Sequence, residues 1–138
     1  MKNMHFKRKL PVPKDIKEQY PLTPELAAVK AARDKLIADV FTGRSDQLVL
    51  IIGPCSADRE DAVLDYCTRL ARLQEQVSNR LVLIPRVYTN KPRTTGAGYK
   101  GLLHQPNPEA KEDMLEGVIA IRRLHRTDSL FITSSIIS

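Results

Sequence analysis

The sequence predicts an α/β fold in the order helix, strand, helix, strand, helix. Three observations carry the prediction. Two continuous apolar runs, Leu48–Ile52 and Leu81–Tyr88, have the length and the Leu, Val and Ile content of strands buried on both faces, as in a parallel sheet under helices. The segments around them repeat their apolar residues at helical spacing. Glycine and proline interrupt the pattern where one element should give way to the next. At 138 residues, with 42% apolar and 28% charged residues, the chain is long enough for one ordinary domain with its own core. No internal repeat or low-complexity tract divides it.

Residues 1–22 are basic and marked by Pro11, Pro13 and Pro21, and read as an extended arm. Two roles stand equally, contact with another subunit and a loosely held terminus. Residues 23–126 form the body. Thr23-Pro24-Glu25 begins a helix well: a hydroxyl N-cap, a proline in the first turn, and an acid at the positive end of the dipole. Leu26, Val29, Leu36, Ile37 and Val40 supply its apolar side, Arg33 interrupts that side and predicts an exposed turn, and Gly43 is a natural stop.

The strand Leu48–Ile52 ends at Gly53-Pro54-Cys55-Ser56. Asp58 is the expected cap of the next helix, with Glu60 and Asp61 in its first turn and Ala62, Val63, Tyr66, Cys67, Leu70, Leu73 and Val77 on one face. The second strand follows at Leu81–Tyr88. A long loop, Thr89–Pro108, leads to a helix beginning near Pro108–Lys111, whose apolar side is Met114, Val118, Ile121 and Leu124. Its acids come early and Arg122, Arg123, His125 and Arg126 late, as a helix dipole favours. Residues 127–138, TDSLFITSSIIS, are an atypical tail with the composition of a short strand.

The long loop is where chemistry is expected. Between Gln76 and Pro108 there is no acid, yet Arg80, Arg86, Lys91, Arg93 and Lys100 all lie there, among Thr94, Thr95, Gly96 and Gly98. Guanidinium forks, ammonium charges, hydroxyls and open backbone amides just past a strand suit a phosphorylated metabolite. A solvated basic loop is the alternative. Cys55 lies at the carboxyl end of the other strand, where α/β sheets place ligand sites, and so stands as a nucleophile or a metal ligand. A structural thiol is the commoner fate of a single cysteine, and core packing is the reading for Cys67. His104 and His125 have no ligand-like spacing to Cys55 and read as solvated polar residues.

The net charge of +6 favours anionic partners without choosing among them. Scarce aromatics and no Trp argue against single-stranded nucleic acid. No apolar run approaches the ~20 residues of a membrane span. There is no apolar secretory segment near the N-terminus and no disulfide framework, so a cytoplasmic location is the expectation.

IIGPCS at Ile51–Ser56 and PRVYTNKPRTTGAGYKGL at Pro85–Leu102 closely resemble the class I 3-deoxy-D-arabino-heptulosonate 7-phosphate synthases, over about Pro11 to His125. The resemblance implies the first part of a TIM (β/α)8 barrel with an N-terminal extension. It implies a transferase of the shikimate pathway to aromatic amino acids. The reaction would be an aldol-like condensation of phosphoenolpyruvate with D-erythrose 4-phosphate, with a divalent metal ion as cofactor and a homo-oligomer as the full-length form. On this resemblance Cys55 is a metal ligand. Arg86 and Lys91 are catalytic and bind phosphoenolpyruvate, and Arg93 and Thr94 bind the aldose phosphate. Lys100 matches a motif lysine and is given only an electrostatic or structural role. The family's remaining metal ligands, a His, a Glu and an Asp, come from later strands and have no counterpart in this sequence. The expectation is a barrel incomplete in this chain, a tail altered by truncation or frame shift, and a chain inactive by itself. Two other readings compete: a non-enzymatic phosphate- or RNA-binding module, and an interaction fragment that docks on a full-length synthase.

Overall fold

A computed structural model describes residues 8–93 and 97–131. The fold is α/β, and its centre is a strand–helix–strand unit. Strand β1 (Leu48–Ile52) pairs in parallel with β2 (Leu81–Pro85), with Leu48 opposite Leu81 and Leu50 opposite Leu83. Parallel partners need a crossover, and helix α3 (Glu60–Val77) supplies it. Helices α1 (Pro13–Gln19) and α2 (Pro24–Phe41) precede the unit and α4 (Met114–Phe131) follows it.

The arm is not wholly extended. Pro13 opens α1, the Asp15 carboxylate accepts from the Val12 N–H at 3.2 Å, and Ile16 is buried. Arg8 makes paired 2.8 Å hydrogen bonds to Asp113, and Arg122 donates to the Tyr20 carbonyl at 2.9 and 3.1 Å, so residues 8–20 are fixed to the start and middle of α4. Helix α2 starts as its sequence requires: the Thr23 hydroxyl accepts from the Leu26 N–H. Arg33 does not leave its turn idle. Its guanidinium reaches β2 and donates to the Leu83 carbonyl at 2.7 Å.

Three helix expectations need correction. Arg59, not Asp58, sits at the N-cap of α3, and its side chain instead pairs with Asp61. Helix α4 begins at Met114 because Asp113 caps it, its Oδ1 accepting from the N–H groups of Leu115 and Glu116 at 3.0 and 3.2 Å. It also runs on to Phe131, so part of the tail expected as strand is helix, and the basic cluster falls in mid-helix, away from the dipole's negative end. Residues 132–138 lie outside the described residues.

The core lies between α3, α4 and the loops before them: Ala57, Val63, Cys67, Leu102, Ala120 and Leu124 pack together, with Tyr66, Val87 and Ile121 against them. Gly117 lets the Leu103 carbonyl lie against α4, at a spot a Cβ would occupy. Beneath β2, Val82 and Leu83 are buried with Leu70 and Ala71 of α3. β1 departs from the double burial its sequence suggests. Leu48, Leu50 and Ile52 on one face and Ile51 on the other are exposed, because the described elements leave both faces of β1 largely uncovered and α2 touches it only lightly. β2 is shorter than expected: the ladder stops at Pro85, and Arg86–Tyr88 continue as loop. Among the described residues no helix is long and apolar enough to cross a membrane.

Candidate functional site

Both strands end on the same side of the sheet, and the loops that leave them meet there. The turn after β1 is held against the chain leaving β2 by two backbone bonds, Arg86 N–H to the Ile52 carbonyl and Ala57 N–H to the Tyr88 carbonyl, each 2.9 Å. Gly53 makes this approach possible, since a Cβ there would overlap the Arg86 carbonyl. The long loop then folds back on itself. Lys91 N–H donates to the Lys100 carbonyl at 2.8 Å and Leu103 N–H to the Thr89 carbonyl at 2.9 Å. Gly101 takes a φ of +97° where the Thr89 carbonyl leaves no room for a side chain.

These constraints bring together four of the five residues singled out in the sequence. Lys91 Nζ lies 2.9 Å from Cys55 Sγ. That hydrogen bond, then the Lys91 charge, hold the Cys55 thiol below its ordinary pKa against the opposing effect of desolvation, with lesser help from the charges of Arg86 and Arg93. Arg86 Nη1 donates to the Pro54 carbonyl at 3.0 Å, and its guanidinium stacks 4.5 Å above the Tyr88 ring. Arg93 Nε donates to the Tyr99 carbonyl at 3.0 Å, with Gly98 (φ +84°) beside its guanidinium. Cys55, Arg86 and Arg93 are exposed and Lys91 half-buried, so a solute can reach the cluster. Thr94 lies outside the described residues. Lys100 pairs with Glu112 at 3.2 Å, in keeping with a structural role.

Tyr99 escaped the sequence reading. Its hydroxyl lies 3.2 Å from the Asp58 carbonyl and 3.1 Å from the Gln105 carbonyl, joining the Cys55 loop to the far end of the basic loop. Burial, with Asp58 nearby, pushes its phenol above the ordinary value and keeps the donor proton in place. The sequence signal was only a lone aromatic among glycines. Cys67 is buried in the core as expected, and neither cysteine forms a disulfide.

Chemically the cluster is one activated sulfur ringed by three cations. It can hold an anion, and it offers a nucleophilic or metal-binding thiolate. It does not by itself fit a divalent ion. Among the described residues no three His, Cys, Asp or Glu side chains gather as ligands, and Cys55 has cations rather than further donors as neighbours.

Residues 15–137 match the DAHP synthetase I family, a span that includes nearly all of the tail set apart above. The phospho-2-dehydro-3-deoxyheptonate aldolase of Corynebacterium glutamicum is 40% identical over 116 residues, covering 83% of this chain and 31% of that protein. The Tyr-sensitive enzyme of that name from Escherichia coli K12 is 35% identical over 126 residues, 90% of this chain and 35% of its own. The solved structure of phospho-2-dehydro-3-deoxyheptonate aldolase from Francisella tularensis shares the fold, with a TM-score of 0.84 at 24% identity over 94% of this chain and 38% of that one. The chain thus spans about a third of the length of these relatives. With a family match running from α1 through α4 and both motif loops inside it, the chain belongs to the DAHP synthetase I family.

Proposed function

We propose that this chain supplies the first two strands of a (β/α)8 barrel and, at their carboxyl ends, part of the site of a 3-deoxy-7-phosphoheptulonate synthase. That enzyme would join phosphoenolpyruvate to D-erythrose 4-phosphate by an aldol-like addition. The observation that supports this best is the convergence of Cys55, Arg86, Lys91 and Arg93 from two strand ends. Phosphoenolpyruvate carries a carboxylate and a phosphate, and Arg86 and Lys91 offer one cation to each. Arg86 is already oriented by the Pro54 carbonyl and the Tyr88 ring, so little side-chain freedom is lost when it binds. Lys91 is held by Cys55 and must turn from sulfur to substrate. Arg93 and Thr94 would face the aldose phosphate. A metal at Cys55 requires donors other than the described residues, so no step is assigned to it.

The test is calorimetric titration of the chain with phosphoenolpyruvate, alongside an assay for heptulosonate phosphate with both substrates and a divalent metal. The expected result is salt-sensitive binding, weakened roughly tenfold or more by Lys91→Ala, and no product from the 138 residues alone. Absence of binding would refute the half-site, and product formation would refute inactivity of the chain alone. The exposed apolar residues of β1 favour a second reading, in which the chain docks on a full-length synthase. Failure of such a synthase to retain the chain in a pull-down would remove it.

A further inference from the structure

A strand with one neighbour leaves every second residue's backbone groups unpaired along its outer edge. In the β1–β2 pair, Leu48 N–H donates to the Arg80 carbonyl and Arg86 N–H to the Ile52 carbonyl. This assigns the even-numbered positions of the second strand to β1 and turns Leu81, Leu83 and Pro85 outward. Pro85 has no N–H to satisfy.

The outward groups of Leu81 and Leu83 are nevertheless occupied. Gln74 Nε2 donates to the Leu81 carbonyl at 2.8 Å, and Gln74 Oε1 accepts from the Leu83 N–H at 2.6 Å. Arg33 Nη2 donates to the Leu83 carbonyl at 2.7 Å. One side-chain amide from α3 thus presents a donor and an acceptor to alternate residues of β2, as a peptide group of an added strand would. A guanidinium from α2 takes the next carbonyl. Gln74 is 7% exposed, on a helix face otherwise filled by Val63, Cys67, Leu70 and Ala71. Arg33, Gln74, Leu83 and Pro85 line one narrow space, so the two side chains stand where another backbone would have to pass.

The opposite edge is different. Val49 and Ile51 turn their backbone groups outward on β1, and among the described residues no hydrogen bond reaches their amides. The two-stranded sheet therefore has one closed edge and one open edge.

We propose that Gln74 and Arg33 act as a side-chain substitute for a third strand: they close the outer edge of β2 against strand addition and must withdraw before any strand pairs there. The proposal does not depend on the substrate reading. It makes sheet growth beside β2 a displacement reaction rather than a simple addition.

Residue-resolved amide hydrogen exchange on the full chain tests it. In the unmodified protein the Leu83 amide is expected to exchange at least about tenfold more slowly than those of Val49 and Ile51. Gln74→Leu keeps the bulk but removes both partners, and should speed Leu83 exchange by about tenfold or more while the far-ultraviolet circular dichroism stays unchanged. Gln74→Leu combined with Arg33→Met should self-associate at lower concentration than the unmodified chain, with an intermolecular-strand infrared band. If Leu83 exchanges as fast as Val49 in the unmodified protein, the proposal is overturned. It is also overturned if Leu83 stays protected in a folded Gln74→Leu chain, because burial under α3 would then explain the protection. Unchanged association of the folded double variant would overturn the closing role. Should Gln74→Leu fail to fold, the comparison within the unmodified protein still decides.

Discussion

β1 and β2 are nearly the same strand by sequence, LVLII and LVLIP, aligned residue for residue. Yet Leu50 is 41% exposed while its partner Leu83 is 3% exposed. The strands differ in what lies on them. α3 packs along β2 and sends Leu70, Ala71 and Gln74 under it, whereas β1 is touched only lightly by α2. Burial here belongs to the neighbour, not to the strand. An apolar run reports what a segment can bury and leaves open whether a covering surface is present.

The largest test of that contrast is a matched pair. Leu83→Ala should cost about 2–5 kcal/mol in urea unfolding, as a buried leucine truncation does, whereas Leu50→Ala should stay within about 1 kcal/mol. Equal losses would mean that β1 is covered in solution. Next comes the point where the strands part. Gly53→Ala would drive a methyl into the Arg86 carbonyl and should destabilise the chain by about 1–3 kcal/mol. A neutral Gly53→Ala would show that the turn yields more easily than the strand it follows.

A smaller effect concerns what the two strand ends share. Lys91→Ala removes the ammonium that stabilises the Cys55 thiolate, so iodoacetamide labelling near pH 7 should slow several-fold and its pH profile should move upward. The sign for stability follows from the lowered folded value. The contribution is present above the ordinary thiol range and lost as pH falls through the lowered folded pKa. An unmoved profile would separate Cys55 from the basic loop. The smallest effect belongs on α2, where Asp34→Ala breaks an exposed pair with Lys30 and should change stability by no more than about 0.5 kcal/mol.

Local signals read well. The Thr23 cap, the strand starts, the helical face around Val63 and Cys67, and the gathering of Arg86, Lys91 and Arg93 near Cys55 were all legible. They rest on periodicity, on capping chemistry, or on motifs that follow the strands. The misplaced caps show the limit of that approach. Asp58 and Asp113 are equally good cap residues, and only the path of the chain selects one. What stayed hidden was contact between side chain and distant backbone. Arg33 looked like a flaw in an apolar stripe because its acceptor lies 50 residues away. Gln74 drew no notice in the sequence, because the ladder it completes has no sequence period. Tyr99 tied two loops through carbonyls, which every residue carries and no motif marks.

Both carboxylate oxygens of Asp113 accept from Arg8 while Oδ1 also caps α4, so the arm and the last helix share one carboxylate 105 residues along the chain from that arginine. During synthesis the arm therefore emerges long before its anchor exists. At roughly 5–20 residues per second, Arg8 waits on the order of 5–20 s for Asp113 to be made. In that interval the arm has neither the Arg8–Asp113 pair nor the Arg122 bond to Tyr20. The arm is thus among the last parts of this unit to settle, and the start of α4 is where arm and last helix register each other.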